Sequence, residues 1–222
     1  MRPDATAASL ATALLALLAG PAAAGDLKGV VHYRGAPRAA TVEVTKDQAA
    51  CGASAPDESL LAAAGRLKNV VVTVKGAPAP APGKATLDQR RCRYLPHVQA
   101  VAVGSTLEIL NGDPILHNVH GWTGKATAFN VAMPLRDQKV PRKLDRPGLI
   151  RVGCDVHAWM SAWILVADSP FAVSGDDGRF AVGGLPPGRY TVTAWHERLG
   201  EKTAEVAVPA QGEASVDFAF GG

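Results

Sequence analysis

Within the eight residues GCDVHAWM (153–160), Cys154, His157 and Met160 present a thiol, an imidazole and a thioether in a Cys-x2-His-x2-Met spacing. At a strand end followed by a tight loop, that spacing points all three side chains inward. Imidazole nitrogen and soft sulfur are copper's preferred donors. Two histidines and a thiolate in a plane, with a weak axial methionine, make a site that serves both oxidation states. Methionine is a poor zinc ligand, so a structural zinc site suits the set less well. The loop holds one histidine, so the other must come from a different strand.

The segment NGDPILHNVHGW (111–122) supplies His117 and His120. His117 is favoured because of Asn118 beside it. The Asn118 backbone N–H can reach the Cys154 sulfur and its side chain can bond Asp155, tying the two ligand segments together. His120 is the alternative ligand. Against the metal stands a plainer reading, in which Cys154 is an inert buried thiol. His97 reads as a surface or hydrogen-bonded histidine and His196, beside Trp195, as an inter-sheet or interdomain residue. His32 carries no partner signal. The sequence shows no Ser-His-Asp arrangement, phosphate-cradling glycine loop, Cys-x2-Cys-His haem site or paired His-x-His motif.

The chain has three cysteines, an odd count. In an oxidising compartment Cys51 and Cys92 are the natural disulfide pair, which leaves Cys154 free and in need of an occupant. The N-terminus points to such a compartment. Arg2 begins a short polar stretch, residues 9–19 are apolar, and PAAAG offers small residues for cleavage after Ala24. That is the pattern of a secretory signal peptide, too short to span a bilayer. The expectation is a periplasmic protein with no integral membrane segment after cleavage.

What must position the ligands is a β scaffold. Short β-branched runs recur between glycine and proline turn signals, which argues for an all-β chain. VQAVAVGSTLEILNGD (98–113) reads as strand, glycine turn, strand, with Leu107 and Ile109 facing opposite to Glu108. A strand runs into Cys154, and SAWILVAD (161–168) begins another as the loop ends. Further strands are expected in 27–35, 41–46 and 69–76, and on either side of the Asp-Gly, Pro-Pro-Gly and Gln-Gly turns near the C-terminus. DESLLAAAGRL reads as a short helix or a loop, and the proline-rich APAPAPGK (77–84) as a stiff extended linker. The net charge of +3, without a long basic face, argues against nucleic acid.

On HNV (117–119) and the later Cys-x2-His-x2-Met, the chain resembles the cupredoxins, the type 1 blue copper proteins of the amicyanin and plastocyanin kind, over roughly residues 85 to 168. The resemblance implies a Greek-key β-sandwich, one type 1 copper ion, and His117, Cys154, His157 and Met160 as its ligands. Asp155 stands where relatives usually carry a small hydroxyl residue, and Trp159 adds bulk beside Met160. These departures bear on the reduction potential. GVVHYRGAPRAATVEV and SGDDGRFAVGGLPPGRYTVTAW resemble two halves of a carboxypeptidase regulatory-like, transthyretin-type sandwich. The expected layout is a signal peptide (1–24), a first half-sandwich (25–79), an inserted cupredoxin domain (80–168) and a second half-sandwich (169–222).

The resemblance implies a non-enzymatic electron carrier working between redox proteins such as a dehydrogenase or reductase and a cytochrome. The alternative is a copper storage, delivery or sensing module. In a strand-loop-strand site His157 is expected to show an edge to solvent, ringed by Ala158, Trp159 and Trp122 as an apolar docking patch for the partner. The run of Lys139, Arg142, Lys143 and Arg146, softened by Asp137 and Asp145, reads as a solvated strand face or a steering surface.

Overall fold

The computed structural model describes residues 24–36 and 40–221. The expected leader lies outside the described residues except for Ala24. The protein is all-β, and the one helix among the described residues is a single turn, Gln48–Cys51. No helix among them is long and apolar enough to cross a membrane.

Two sheets built from the middle of the chain face each other. In the first, Ser105–Asn111 runs between Lys84–Gln89 (parallel) and Gln138–Leu144 (antiparallel), with Tyr94–Leu95 beyond. Its period-two pattern buries Leu107 and Ile109 and turns Glu108 outward. The second has the order Ala126–Met133, His117–Thr123, Gly148–Gly153, Ser161–Ala167, Val98–Ala102. Leu87, Leu107 and Ile109 of one sheet pack with Val119, Val152 and Ile164 of the other in one apolar core. Each such side chain contributes about 1.5–3 kcal/mol by leaving water. The 98–113 stretch does turn at Gly104 (φ 83°), but its two strands fall in opposite sheets.

The two ends of the described chain build a second core. Gly25–Tyr33 pairs with Arg179–Leu185 on one side and, in parallel, with Glu213–Ser215 and Phe218–Phe220 on the other. A facing sheet runs Phe171–Val173, Val71–Lys75, Gly188–His196, Gly200–Val208. Leu27, Val31, Val72, Phe180, Val192 and Phe220 fill the space between them. The two cores meet where Trp163 packs edge-on against Trp195, with ring centroids 5.3 Å apart.

Residues 41–56 cross from one core to the other. Thr41–Glu43 and Ser54–Pro56 pair as a small hairpin around the Gln48–Cys51 turn. Val44, Cys51 and Ala55 pack into the middle core, and a disulfide from Cys51 to Cys92 (Cα–Cα 5.2 Å) fastens the segment there. The stretch read as helix or loop forms two short strands, Ala62–Ala63 and Arg66–Leu67, around the positive-φ pair Ala64 and Gly65.

Candidate metal centre

His117 opens the His117–Thr123 strand, and Cys154 directly follows its neighbour Gly148–Gly153. The register sets His120 opposite Gly153, so Asn118 and Cys154 come together where the strands part. The Asn118 backbone N–H points to the Cys154 sulfur at 3.5 Å. Its side chain donates to Asp155 Oδ2 at 2.9 Å and accepts the Asp155 backbone N–H at 2.6 Å. The loop then closes with the Met160 N–H on the His157 carbonyl at 3.0 Å.

This brings three donors to one buried point. His117 Nδ1 and His157 Nδ1 are 2.9 Å apart, and Cys154 Sγ lies 3.7 Å from His157 Nδ1. Both histidines are 0 % exposed and Cys154 is buried. Met160, 2 % exposed, ends the loop in the same apolar cluster as Cys154.

The outer nitrogens of both rings are committed. His117 Nε2 lies 2.9 Å from Asp113 Oδ2, and His157 Nε2 lies 2.9 Å from Asp47 Oδ2. A carboxylate only accepts, so each Nε2 carries the hydrogen and each Nδ1 faces inward. Two inward lone pairs at that separation repel unless a proton or a cation lies against them. Burial alone would oppose ionisation of Cys154. The hydrogen bond with His117 and the N–H groups of Asn118, His157 and Val156 outweigh it and bring the thiol down to about 6. Burial likewise works against a charged His117, but Asp113 and then Cys154 raise it to about 9. The pocket thus favours a thiolate facing positive charge. Two imidazole nitrogens and a thiolate, with a thioether in the same loop, fit a copper ion.

His120 takes no part in this cluster. Three residues along a strand from His117, it projects to the opposite face. Its Nδ1 pairs with Asp155 at 3.1 Å, its Nε2 with Thr127 Oγ1 at 2.9 Å, and its ring stacks on Trp122 at 3.7 Å. Cys92, Asp113 and His117 also converge, but the Cys92 sulfur is bound in the disulfide.

The structure departs from the expectation that His157 shows an edge to solvent. The ring is wholly buried, because the disulfide-fastened 41–56 segment lays Asp47 across its Nε2. Ala158 is exposed and Trp159 half-buried, its Nε1 donating to the Cys92 carbonyl at 3.2 Å and its ring 5.0 Å from His157. Trp122 is occupied by His120 and by the Arg151 guanidinium, 4.2 Å from its ring. His97 and His196 lie between the two cores; His97 bonds the Ser161 carbonyl at 3.0 Å and the Glu197 carboxylate.

Sequence reasoning missed the two aspartates. Asp113 stands four residues before His117 in NGDPILH, and that Asp-x3-His spacing was a usable signal. Nothing in the sequence links Asp47 to His157, 110 residues away.

No protein-family profile and no curated protein matches this chain. Among solved structures it is similar to a purple cupredoxin from Nitrosopumilus maritimus, with 15 % identity over 37 % of this chain and 99 % of that one (TM-score 0.32). It is also similar to amicyanin from Paracoccus versutus, with 22 % identity over 43 % of this chain and 97 % of that one (TM-score 0.35).

Proposed function

We propose that the chain is an exported, periplasmic type 1 copper protein that carries single electrons between redox proteins and is not itself an enzyme. The observation that supports this most directly is the convergence of His117 Nδ1, His157 Nδ1 and Cys154 Sγ, with both outer nitrogens already bonded to carboxylates. His117, Cys154 and His157 would hold the ion, with the Met160 thioether as a weaker further donor. Copper, when bound, would supply reversible one-electron chemistry there. The residues around it keep the geometry fixed. Asn118 holds the Cys154 sulfur through its N–H and locks Asp155 to its own strand, so the two ligand segments do not separate.

A carrier needs a site that changes little between oxidation states, and a buried, doubly anchored donor set meets that need. A storage, delivery or sensing module must release its ion to a partner. The closed pocket favours the carrier. Ala158 and Trp159 are proposed as the partner-facing edge of the loop, with Trp122 farther along the neighbouring strand. The layout we propose sets a copper domain, residues 80–168, between the halves of an outer sandwich, 25–79 and 169–222. The separate apolar cores support it. The 41–56 segment would then belong to the first half in sequence while packing on the copper domain.

The test is a visible spectrum of the copper-loaded protein with a redox titration. A thiolate bound to Cu(II) gives an intense visible charge-transfer band, which Cys154→Ser should abolish and His117→Ala should weaken or shift. An unchanged spectrum in Cys154→Ser would defeat the proposal.

A further inference from the structure

His157 is sealed from outside its own loop. Asp47 sits at a left-handed backbone position (φ 53°), at the start of the turn that ends in Cys51. Its side chain is 40 % exposed, whereas the imidazole beneath it is 0 % exposed, so the carboxylate is the layer between the ring and water. The same disulfide reaches the other histidine. The Cys92 N–H and the Arg91 N–H, at 2.8 Å each, hold the carboxylate of Asp113, which bonds His117 Nε2. The Cys51–Cys92 bond therefore joins the two loops that present a carboxylate to the outer nitrogen of each imidazole. Trp159, bonded to the Cys92 carbonyl, closes the remaining side against the His157 ring.

From this arrangement we infer that Asp47 is a positioning residue of the metal centre and the latch of a lid formed by the largely exposed turn 45–50, held between the buried Val44 and the disulfide-bonded Cys51. Its hydrogen bond holds His157 with Nδ1 inward and denies solvent its Nε2 edge, and its negative charge lies one imidazole away from the bound ion. Metal entry and exit then require the Asp47 turn to swing aside while Val44, Cys51 and Ala55 stay packed, which makes opening of this turn the step that governs exchange. The lid itself follows from contacts of the chain alone; its effect on copper rests on the function proposed above.

The experiment uses the full chain and two substitutions. Asp47→Gly removes the carboxylate and suits the left-handed backbone. Asp47→Asn retains an acceptor for the His157 N–H and removes the charge, and asparagine also tolerates that backbone. Diethylpyrocarbonate acylation of His157 in the metal-free protein, mapped by mass spectrometry, reads the seal. Loss of one charge-assisted hydrogen bond holding a closed segment should speed acylation about tenfold in Asp47→Gly, while Asp47→Asn should stay close to wild type. A wild-type rate in Asp47→Gly overturns the latch, as does an Asp47→Asn rate equal to that of Asp47→Gly. In copper-loaded protein, Asp47→Gly should weaken binding by about 10- to 100-fold, the usual cost of losing a carboxylate behind a ligand histidine. Asp47→Asn should move the reduction potential upward, and an unmoved potential overturns the electrostatic part. Failure of the wild type to bind copper would defeat only the copper reading, because the acylation arm needs no metal.

Discussion

Asp113 accepts the Nε2–H of His117 at 2.9 Å while its two oxygens also accept the backbone N–H groups of Arg91 and Cys92. These bonds favour the ionised carboxylate; burial alone would raise its pKa, and they outweigh burial and lower it. The aspartate thus fixes the His117 tautomer from a position that is itself fixed by the disulfide loop. Asp113→Ala should weaken copper binding by about 10- to 100-fold. It should also cost stability, since two backbone donors of the 91–92 turn lose their acceptor. Competitive titration against a chelator checks the first effect and denaturant unfolding of the metal-free protein the second.

The two histidines of HNVH give a paired prediction. Because His120 is bonded to Asp155 and Thr127 on the far face of the strand, His120→Ala should leave the copper spectrum in place. Its cost should be about 1–2 kcal/mol of stability, from the lost hydrogen bonds and the stack on Trp122. His117→Ala should change the spectrum itself. A spectrum lost in His120→Ala and kept in His117→Ala would exchange their roles.

How much of this was legible beforehand follows from the reach of each interaction. The alternation in STLEILN wrote its buried and exposed faces directly, because strand period is a local property. The 154–160 loop was legible because its donors sit within one turn of chain. The Asn118 bridge to Cys154 and Asp155 was legible because a residue at the end of one strand can reach across to the end of its neighbour with both backbone and side chain. The Asp47 latch was not, since it depends on a tertiary contact across 110 residues and on which core the 41–56 segment joins. The short strand Lys84–Gln89 was also missed. KATLDQ buries a glutamine on the same face as its leucine. The Gln89 amide nitrogen donates to the Leu110 carbonyl at 2.9 Å, while its buried oxygen has no partner among the described residues, so a polar residue there hid the strand's inward face.

The disulfide should matter for stability as well as for the lid. Cys51 and Cys92 are 41 residues apart, and closing a loop of that length contributes about 4 kcal/mol in the chain-entropy view, less any strain. The Cys51→Ser, Cys92→Ser double variant should unfold at a lower denaturant concentration by an amount of that order. Peptide mapping without reduction should find the Cys51–Cys92 link in the wild type, and a Cys51 to Cys154 link in metal-loaded protein would contradict it.

The contact between the two cores should carry its own pH dependence. His97 Nδ1 faces the Ser161 carbonyl and Nε2 the Glu197 carboxylate, so both ring nitrogens meet acceptors and the imidazolium is the form that satisfies them. Burial alone would lower its pKa; Glu197, with smaller help from Glu58 and Ser161, raises it instead. A raised folded value means the stabilisation is fully present below the unfolded value of about 6.5 and is lost as pH rises through the folded one. Neighbouring His196 has the opposite sign. Burial holds it down to about 4, so its share is present above the unfolded value and lost as pH falls toward 4. Glu197→Gln keeps an acceptor for the Trp163 indole, 2.8 Å away, but removes the charge. It should cost about 3 kcal/mol at pH 6, as expected for breaking a buried ion pair, and progressively less as pH rises through the folded value of His97. Unfolding curves from pH 5 to 9 check this, and an equal cost at every pH would show that His97 does not change its charge across that range.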